Sequence, residues 1–304
     1  MYQVINHSSN LYFLLKFTLG KTMKLLSWNI QWGKGIDGCV DLSRIVHTIQ
    51  QHGDFDIICL QEVANNFPDL PGNRKQDQFE KLLNAMKGFT GIYGIATDVP
   101  DKLGGRNLFG NAIYSRFPIG QVWRHLLPWQ GELMTPSMQR VLVEAVIHTD
   151  LGAVRVMTTH LEYYSQHQRE TQIDTIRDLH RNACAMSRRN SIREEVGGPF
   201  EVFPRPAQAL ICGDLNFPAW AGEHQQILAP FEEGIPDFSD VWLVLHPDTQ
   251  HPPTVGIHSV DFVDRPECFD FIFVTEGLIP RLKSFGIDMV TQSSDHQPIW
   301  VELE

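Results

Sequence analysis

The chain has 304 residues, of which 42% are hydrophobic and 20% charged, a composition typical of a soluble globular protein with a large core. Its 25 Lys and Arg residues against 36 Asp and Glu residues give a formal net charge of −11. That balance argues against a protein that holds nucleic acid mainly through the phosphate backbone, although it leaves room for a local basic patch. The five cysteines lack metal-type pair spacing, which favours a reduced, cytoplasmic protein.

The first residues of the chain contain a short apolar run, LYFLLKFTL. It is too short to span a bilayer and lacks the basic leader and small-residue cleavage pattern of a secretory signal. A strand-like stretch begins directly at Met23. We therefore predict that residues 1–22 are an extension outside the fold and that residues 23–304 form one domain without stable membrane association. The oligomeric state stays open.

Short β-rich apolar runs recur along the chain, with helix-like segments between them. The runs begin at Met23, Phe55, Asn111, Val141, Val154, Gln208, Phe269 and Pro298. One helix is predicted after Asp41, a good N-cap, and another over residues 166–187. In the second helix, apolar residues from Ile173 to Met186 repeat at helical spacing, which predicts one buried face and an arginine-rich face in solvent. The alternation predicts an α/β domain with mixed sheets covered by helices.

Three stretches are rich in Gly, Pro, His and polar residues and do not fit a strand or a helix. They are residues 97–110, 128–139 and 246–268. We predict that they form long connections, which are often functional in compact domains.

Polar residues follow or flank many of the apolar runs. They are Asn29, Glu62, His160, Asp214, Asn216, Asp270, Asp295 and His296. A turn amide, an acid at a helix start or a buried histidine would explain any one of them alone, but not the whole series. Asp214 and Asn216 are two residues apart, so on an extended backbone they project from one face. We expect strand ends from paired sheets to meet at one edge and to line a single cleft.

The chemistry of these side chains points to phosphate esters. Carboxylate and amide oxygens are the ligands that Mg²⁺ prefers, with Mn²⁺ as the alternative. Histidine beside them can move protons near neutral pH or, when protonated, hold an anion. A hard cation, imidazoles and amide donors suit phosphoryl chemistry, in which a metal neutralises oxygen charge and helps water to attack in line.

The ordered series of motifs resembles the endonuclease/exonuclease/phosphatase superfamily, from about Met23 to the C-terminus. The motifs are Asn29, LQEV with Glu62, GNAIYSRFPI with Asn111, THLE with His160, GDLN with Asp214 and Asn216, DFIF with Asp270, and SDH with Asp295 and His296. Each motif is weak alone, and the complete order is specific. The resemblance implies a four-layered α/β sandwich, with two packed mixed sheets flanked by helices, and a divalent-metal-dependent phosphoesterase.

The resemblance also implies roles for individual residues. Glu62 would be the principal metal ligand, with Asn29 and Asp295 assisting. Asp214 would orient or deprotonate the attacking water, and Asn216 would hold a phosphate oxygen. His296 would act on the phosphate or the nucleophile with Asp270 fixing its ring, and His160 would donate to a non-bridging oxygen. Asn111, Arg140 and His258 are the predicted substrate-binding residues. Which group is the general base stays open.

One position departs from part of the family. Abasic-site endonucleases and tyrosyl-DNA phosphodiesterases usually carry Asp where Gln31 stands, and Gln31 brings no charge. The stretch MQRVLVEA, followed by THLE and a helix with His167, Arg169 and Gln172, is nevertheless similar to the tyrosyl-DNA phosphodiesterase branch.

The leading hypothesis is a phosphodiesterase or nuclease acting on a phosphate ester, nucleic acid included, by metal-assisted water attack. A small-molecule phosphomonoesterase and a sphingomyelinase-like phospholipid hydrolase are the alternatives within the fold. A phosphate-binding module without catalysis is the alternative outside enzymes.

Overall fold

Two six-stranded mixed β-sheets pack face to face in the computed structural model, which describes residues 22–304 except 103, 189–198, 200, 202 and 260. The strands are β1 Met23–Asn29, β2 Ile57–Asn65, β3 Thr90–Pro100, β4 Arg106–Ser115, β5 Ile119–Leu126, β6 Val141–Thr149, β7 Gly152–His160, β8 Ala209–Asp214, β9 Phe238–Asp240, β10 Asp270–Thr275, β11 Leu282–Ile287 and β12 Ile299–Leu303. The first sheet has the order β11-β12-β1-β2-β4-β3 and the second the order β5-β6-β7-β8-β10-β9. Residues 1–21 of the predicted extension lie outside the described residues.

Helices cover the outer faces of the two sheets, apart from one short helix whose Val241 packs in the core between the sheets. They are α1 Leu42–Gln51, α2 Gln78–Ala85, α3 Gln166–Ser187, α4 Gly222–Leu228 and α5 Val241–Leu245, with 3₁₀ turns at Gln31–Gly33 and Glu276–Arg281. The Asp41 side chain caps α1 by accepting from the backbone N–H groups of Ser43 and Arg44, as predicted. Helices α1 and α2 pack on the first sheet, and α3 and α4 pack on the second. The predicted four-layered sandwich is confirmed.

The two-residue period of the strands explains how polar ends come together. On β8, Leu210 and Cys212 face the other sheet, whereas Ala209 and Ile211 face the helices. Asp214 continues the inward row at the end of the strand, because side chains two apart share a face. The same period puts Asn29 of β1, His160 of β7 and Asp270 of β10 in the space between the sheets. Each of these strands is therefore mainly apolar and has a polar residue at one end, and these polar ends lie at one edge of the sandwich.

A buried polar contact joins the two sheets between the apolar core and those tips. The Gln61 Nε2 group donates to Thr158 Oγ1 of the other sheet at 2.9 Å and to Ser27 Oγ at 3.2 Å. All three side chains are buried. Hydrogen bonds across the interface fix the relative position of β1, β2 and β7 where the polar tips begin.

The prediction of a long connection over residues 97–110 is wrong. Residues at both its ends belong to a β-hairpin, in which Thr97 of β3 pairs with Phe109 of β4 and Pro100 pairs with Arg106. The sequence signal is weak there because a register shift interrupts the pairing between Ile95 and Thr97, and glycines occupy the turn. Residues 128–139 and the described part of 246–268 are mainly irregular, as predicted.

The solvent-facing assignment for the arginines of α3 is also wrong in part. The Arg177 side chain is buried, and its guanidinium donates to the backbone carbonyls of Ile227 and Ala229, which close α4. Met186, predicted on the buried face, is 45% exposed. Carbonyls at a helix end need donors, and a nearby arginine meets that need in a way that periodicity does not reveal.

The five cysteines, all among the described residues, form no disulfide. None of the helices in the described ranges combines the length and apolar character needed to cross a lipid bilayer.

Candidate active site

The polar strand ends meet at a cavity of about 450 Å³ between the two sheets. Seven of the predicted site residues line it: Glu62, Arg140, His160, Asp214, Asn216, Asp295 and His296. Strand β2 of the first sheet supplies Glu62, and β7 and β8 of the second supply His160 and Asp214. The loop before β12 supplies Asp295 and His296. The predicted single cleft is therefore present.

Asn29 connects two acids that line the cavity and come from different sheets. Its Nδ2 group donates to Glu62 Oε1 at 3.1 Å and to Asp214 Oδ2 at 2.9 Å. Its Oδ1 atom accepts from the backbone N–H of Gln31 at 3.0 Å, which fixes the orientation of the amide. The Ser294 hydroxyl donates to the Asn29 carbonyl at 2.8 Å and so ties the SDH segment to the same point. Asn29 thereby holds two carboxylates from different sheets.

Three residues at this site have positive φ angles, and these backbone conformations orient their side chains. Glu62 has φ +59°, Gln31 has φ +44° and Asn216 has φ +54°, all in the left-handed region. Glu62 sits in a β-bulge, where the pairing of β2 with β4 shifts between Leu60 and Val63. A bulge turns a side chain away from the regular alternation, which lets Glu62 line the cavity. Strained residues of this kind cluster at functional sites.

The carboxylates of the site lie in surroundings that oppose their negative charge. Burial, and then the charge of Asp295, raise the pKa of Glu62 to about 7. Burial raises the pKa of Asp214 to about 6, although the positive charge of His296 acts in the other direction. Asp295 Oδ2 accepts from Gln31 Nε2 at 2.7 Å. No Lys lines this cavity among the described residues, so these acids lack a nearby ammonium group.

The donor set fits a divalent cation. Glu62 and Asp295 offer carboxylate oxygens in one cavity, and a cation there would offset the charge repulsion that raises the pKa of Glu62. Asn29 turns its nitrogen toward the carboxylates and its oxygen toward the backbone of Gln31. In this arrangement it orients Glu62 rather than offering an oxygen ligand.

The two histidines of the site are held in opposite charge states. His296 Nδ1 lies 2.8 Å from Asp270 Oδ2, and its Nε2 lies 3.5 Å from Asp214 Oδ2. Burial lowers the pKa of His296, but the charges of Asp270 and Asp214 outweigh it and hold the pKa well above its usual value. Burial and the charge of Arg140 hold the pKa of His160 well below its usual value. These surroundings favour the charged form of His296 and the neutral form of His160.

Arg140 supplies a buried positive charge to the same cavity. Its residue is 6% exposed, its Nε group lies 3.4 Å from Glu162 Oε2, and its Nη1 group has no hydrogen-bond partner. A buried guanidinium group that lines a cavity and keeps one donor unpaired is suited to an anionic ligand.

Four predicted residues, Asn29 among them, do not line the cavity. Asp270 lies behind His296 and holds its ring. Asn111 is buried and donates from Nδ2 to the Val141 carbonyl at 3.0 Å, which joins the two sheets. His258 Nε2 lies 3.2 Å from the Met289 carbonyl on the outer side of its loop. The structure thus brings Arg140, but neither Asn111 nor His258, to the cavity.

The loop over residues 246–268 is anchored at two points. Asp240 Oδ2 accepts from His251 Nε2 at 2.8 Å and from His224 Nε2 at 2.8 Å. The Thr254 hydroxyl oxygen accepts from the backbone N–H groups of Phe269 and Asp270. These bonds position the part of the loop that lines the cavity.

Aromatic residues of the cavity were not predicted from the sequence. Phe67, Phe109, Tyr163 and Phe262 line it together with the polar residues. The available signal was their position, since Tyr163 directly follows the THLE motif and Phe109 and Phe262 lie in stretches that resisted assignment.

The chain matches the family model described as Endonuclease/Exonuclease/phosphatase family over residues 26–296. No curated protein matches the chain at the level of sequence. An endonuclease/exonuclease/phosphatase from Beutenbergia cavernae DSM 12333 is 21% identical, with 93% of this chain and 72% of that chain covered and a TM-score of 0.67. TDP2 of D. rerio, complexed with single strand DNA product, is 18% identical, with 93% and 99% covered and a TM-score of 0.61.

The mannosyl-6-phosphatase Bt3783 of Bacteroides thetaiotaomicron VPI-5482 is also 18% identical, with 93% of this chain and 99% of that chain covered and a TM-score of 0.62. At these identities the solved structures show a common fold. The family match extends over most of the chain, and the chain belongs to the Endonuclease/Exonuclease/phosphatase family. The prediction of a hydrolase that acts on phosphate esters is confirmed.

Proposed function

We propose that this member of the Endonuclease/Exonuclease/phosphatase family hydrolyses a phosphate diester, nucleic acid included, by in-line attack of water, with Mg²⁺ as its cofactor and Mn²⁺ as the alternative. One observation supports the proposal above all others. Both sheets deliver acids with raised pKa values, a cationic His296, a neutral His160 and Arg140 to one cavity.

Glu62 and Asp295 would hold the metal ion. When bound, the metal supplies positive charge that neutralises phosphate oxygens and favours attack by water. Asn29 keeps Glu62 and Asp214 at fixed positions through its Nδ2 group, and Gln31 does the same for Asp295 through Nε2. These amides position the acids without adding negative charge.

Asp214 would orient the attacking water or accept a proton from it. Its Oδ2 atom lies within 3.4 Å of His160 Nε2 and 3.5 Å of His296 Nε2. The backbone N–H of Asn216 donates to its Oδ1 atom at 3.0 Å, which fixes the carboxylate. A pKa of about 6 lies in the range where a carboxylate exchanges protons near neutral pH.

Three side chains would hold the phosphate. His296 keeps its charge through Asp270, so its Nε2–H group is a charged donor. Arg140 offers the unpaired Nη1 group. His160, neutral at physiological pH, offers a hydrogen bond without competing for the proton that Asp214 receives. Donors aimed at the oxygens of the transition state stabilise the charge that develops there.

A small-molecule phosphomonoesterase is the second candidate, and one observation favours it. Arg140 is the only Arg, and no Lys is present, among the described residues that line the cavity. A polynucleotide is usually held by several basic groups along its backbone, whereas one small phosphate ester needs few.

A substrate panel tests the proposal. The purified chain is assayed with bis-(p-nitrophenyl) phosphate, p-nitrophenyl phosphate, an abasic duplex and a choline phospholipid, each with Mg²⁺, with Mn²⁺ and with chelator. We expect hydrolysis of the diester with metal, loss of activity in chelator and recovery when excess Mg²⁺ is added. Preference for the monoester would support the phosphomonoesterase instead, and preference for the choline lipid would support the phospholipid hydrolase. Activity that persists in chelator would refute the metal assignment, and no turnover of any substrate would support a non-catalytic module.

A further inference from the structure

Two pairs of aromatic side chains line the cavity together with its polar groups, and we call each pair a wall. Phe67 and Phe109 form the first wall, with ring centroids 6.4 Å apart and ring planes at 76°. Tyr163 and Phe262 form the second wall, with centroids 6.4 Å apart and ring planes at 86°. All four residues line the cavity that also contains the candidate catalytic groups. A ligand whose phosphate lies at the polar groups, which we call the floor of the cavity, therefore has aromatic surface beside it.

The two walls come from different halves of the molecule. Phe67 follows β2 and Phe109 lies on β4, both in the first sheet. Tyr163 follows β7 of the second sheet, and Phe262 belongs to the loop over residues 246–268. The Tyr163 hydroxyl donates to the Phe262 carbonyl, which fixes the second wall. The packing of the two sheets therefore brings both walls into one cavity.

The cavity offers positive charge for one phosphate group and little more. Arg140 and His296 lie at the floor, and neither wall carries a Lys or an Arg. The chain has a formal net charge of −11, which does not favour a long polyanion. Aromatic and apolar surfaces above a polar floor are typical of a site for a small ligand with one polar end.

We propose that the substrate is a small phosphate ester whose alcohol carries an aromatic ring, and that the ring lies between the first and second walls while the phosphate lies at the floor. This inference rests on the proposed function, because it places the phosphate at the candidate catalytic groups. A cavity of about 450 Å³ has room for a phosphate and a ring system of modest size. Ring-on-ring contact and burial of apolar surface supply the preference.

Binding of phosphonates tests the ring preference independently of turnover. 2-Phenylethylphosphonate and ethylphosphonate carry the same anionic group and differ by one phenyl ring, and neither is hydrolysed. We expect the phenyl compound to bind about 10- to 100-fold more tightly in calorimetry with Mg²⁺, since burial of a ring contributes a factor of that order. The variants Phe262→Ala and Phe67→Ala should each reduce that ratio several-fold.

The matched control is Phe203→Ala. Phe203 is 47% exposed, does not line the cavity and precedes β8, at the opposite end of that strand from Asp214. This variant should keep the wild-type ratio. Equal affinity for the two phosphonates, or no binding of either, would overturn the inference. Tighter binding of a ten-nucleotide thymidine strand, with a steep salt dependence, would overturn it in favour of a nucleic-acid site.

Hydrolysis separates this inference from the proposed function. 2-Phenylethyl phosphate and ethyl phosphate, and their methyl diesters, have leaving alcohols of similar acidity, so a difference in kcat/KM reports on binding of the ring. A ring preference without hydrolysis of any of them would leave the substrate class standing and refute the catalytic proposal. Hydrolysis without a ring preference would support the catalytic proposal and refute the inference that the substrate carries an aromatic ring.

Discussion

Two regions of this protein bury carboxylates near charged neighbours, and the pKa values of these carboxylates are shifted in opposite directions. In the cavity, burial raises the pKa of Glu62 to about 7 and that of Asp214 to about 6. On the outer side of the second sheet, Glu144 is fully buried, yet its pKa is lowered to about 2. The difference lies in the partners that surround each acid.

Glu144 has positively charged partners on several sides. Arg205 donates from Nη2 to its Oε2 atom at 2.7 Å, Arg155 Nη1 lies 3.4 Å from its Oε1 atom, and His125 Nε2 lies 3.1 Å from Oε2. Burial alone raises the pKa of Glu144, but hydrogen bonds from His125 and Arg205 and the charges of both arginines outweigh it. We call these four residues the Glu144 network.

The acids of the cavity receive mainly amide partners. Asn29 and Gln31 donate to them, and the nearest positive charges belong to His296 and Arg140. Amides orient a carboxylate but do not neutralise it. The contrast indicates that the Glu144 network serves the stability of the fold, whereas the cavity keeps an incomplete charge balance that a cation and a substrate would complete.

The largest expected effect is a loss of activity without a loss of stability, from a substitution in the cavity. Asp214→Asn should lower kcat/KM by about a thousandfold or more, since it removes the group that we propose to orient the attacking water or accept its proton. The melting temperature in chelator should not fall, because a buried acid with a raised pKa contributes little to folding at neutral pH. Activity assays and thermal unfolding of the same preparation measure both. Activity within tenfold of the wild type would contradict this role.

The Glu144 network should show the opposite behaviour. Glu144→Gln leaves Arg155 and Arg205 buried without a charged partner, so we expect the free energy of unfolding to fall by about 3–5 kcal/mol. Activity of the folded fraction should change by no more than a few-fold. Asp178→Asn, which breaks the exposed pair with Arg181, is the control and should cost less than about 0.5 kcal/mol. Denaturant unfolding compares the two variants, and equal costs would contradict the contrast.

The stabilisation from the Glu144 network should be lost in acid over a defined pH range. Its folded pKa of about 2 lies below the ordinary value of 4.5, so its stabilisation is present above pH 4.5 and is lost as the pH falls toward 2. The loss amounts to about 3 kcal/mol. We expect unfolding free energies of the wild type and Glu144→Gln to converge across that window. Parallel curves for the two proteins would show that Glu144 does not have the lowered pKa.

The smallest expected effect concerns the metal. Mg²⁺ that binds only the folded chain should raise the melting temperature by a few degrees at concentrations well above its dissociation constant. Glu62→Gln removes one charged candidate ligand, so the shift with Mg²⁺ should disappear or become much smaller. Thermal unfolding with Mg²⁺ and with chelator measures the difference. An undiminished shift in Glu62→Gln would exclude Glu62 as a ligand.

Much of this architecture was predictable because it depends on local patterns. All eight predicted apolar runs correspond to strands, and the two predicted helices correspond to α1 and α3. The strands β3, β5, β9 and β11 were not predicted, nor were the three helices other than α1 and α3. Bulges interrupt the pairing of β3, β5 and β11, and the rest are short, so their periodic signals are weak.

By itself, the amino-acid sequence determined which strands end in polar residues and in what order, because a two-residue period and a broken apolar run are properties of neighbouring positions. Only the packing of the two sheets decided which groups share the cavity. It turned the Asn29 nitrogen toward both acids, and it brought the unpaired Arg140 donor, Phe67 and Tyr163 into one cavity. These relations join residues far apart in the chain, and no local pattern encodes the distance between two sheets.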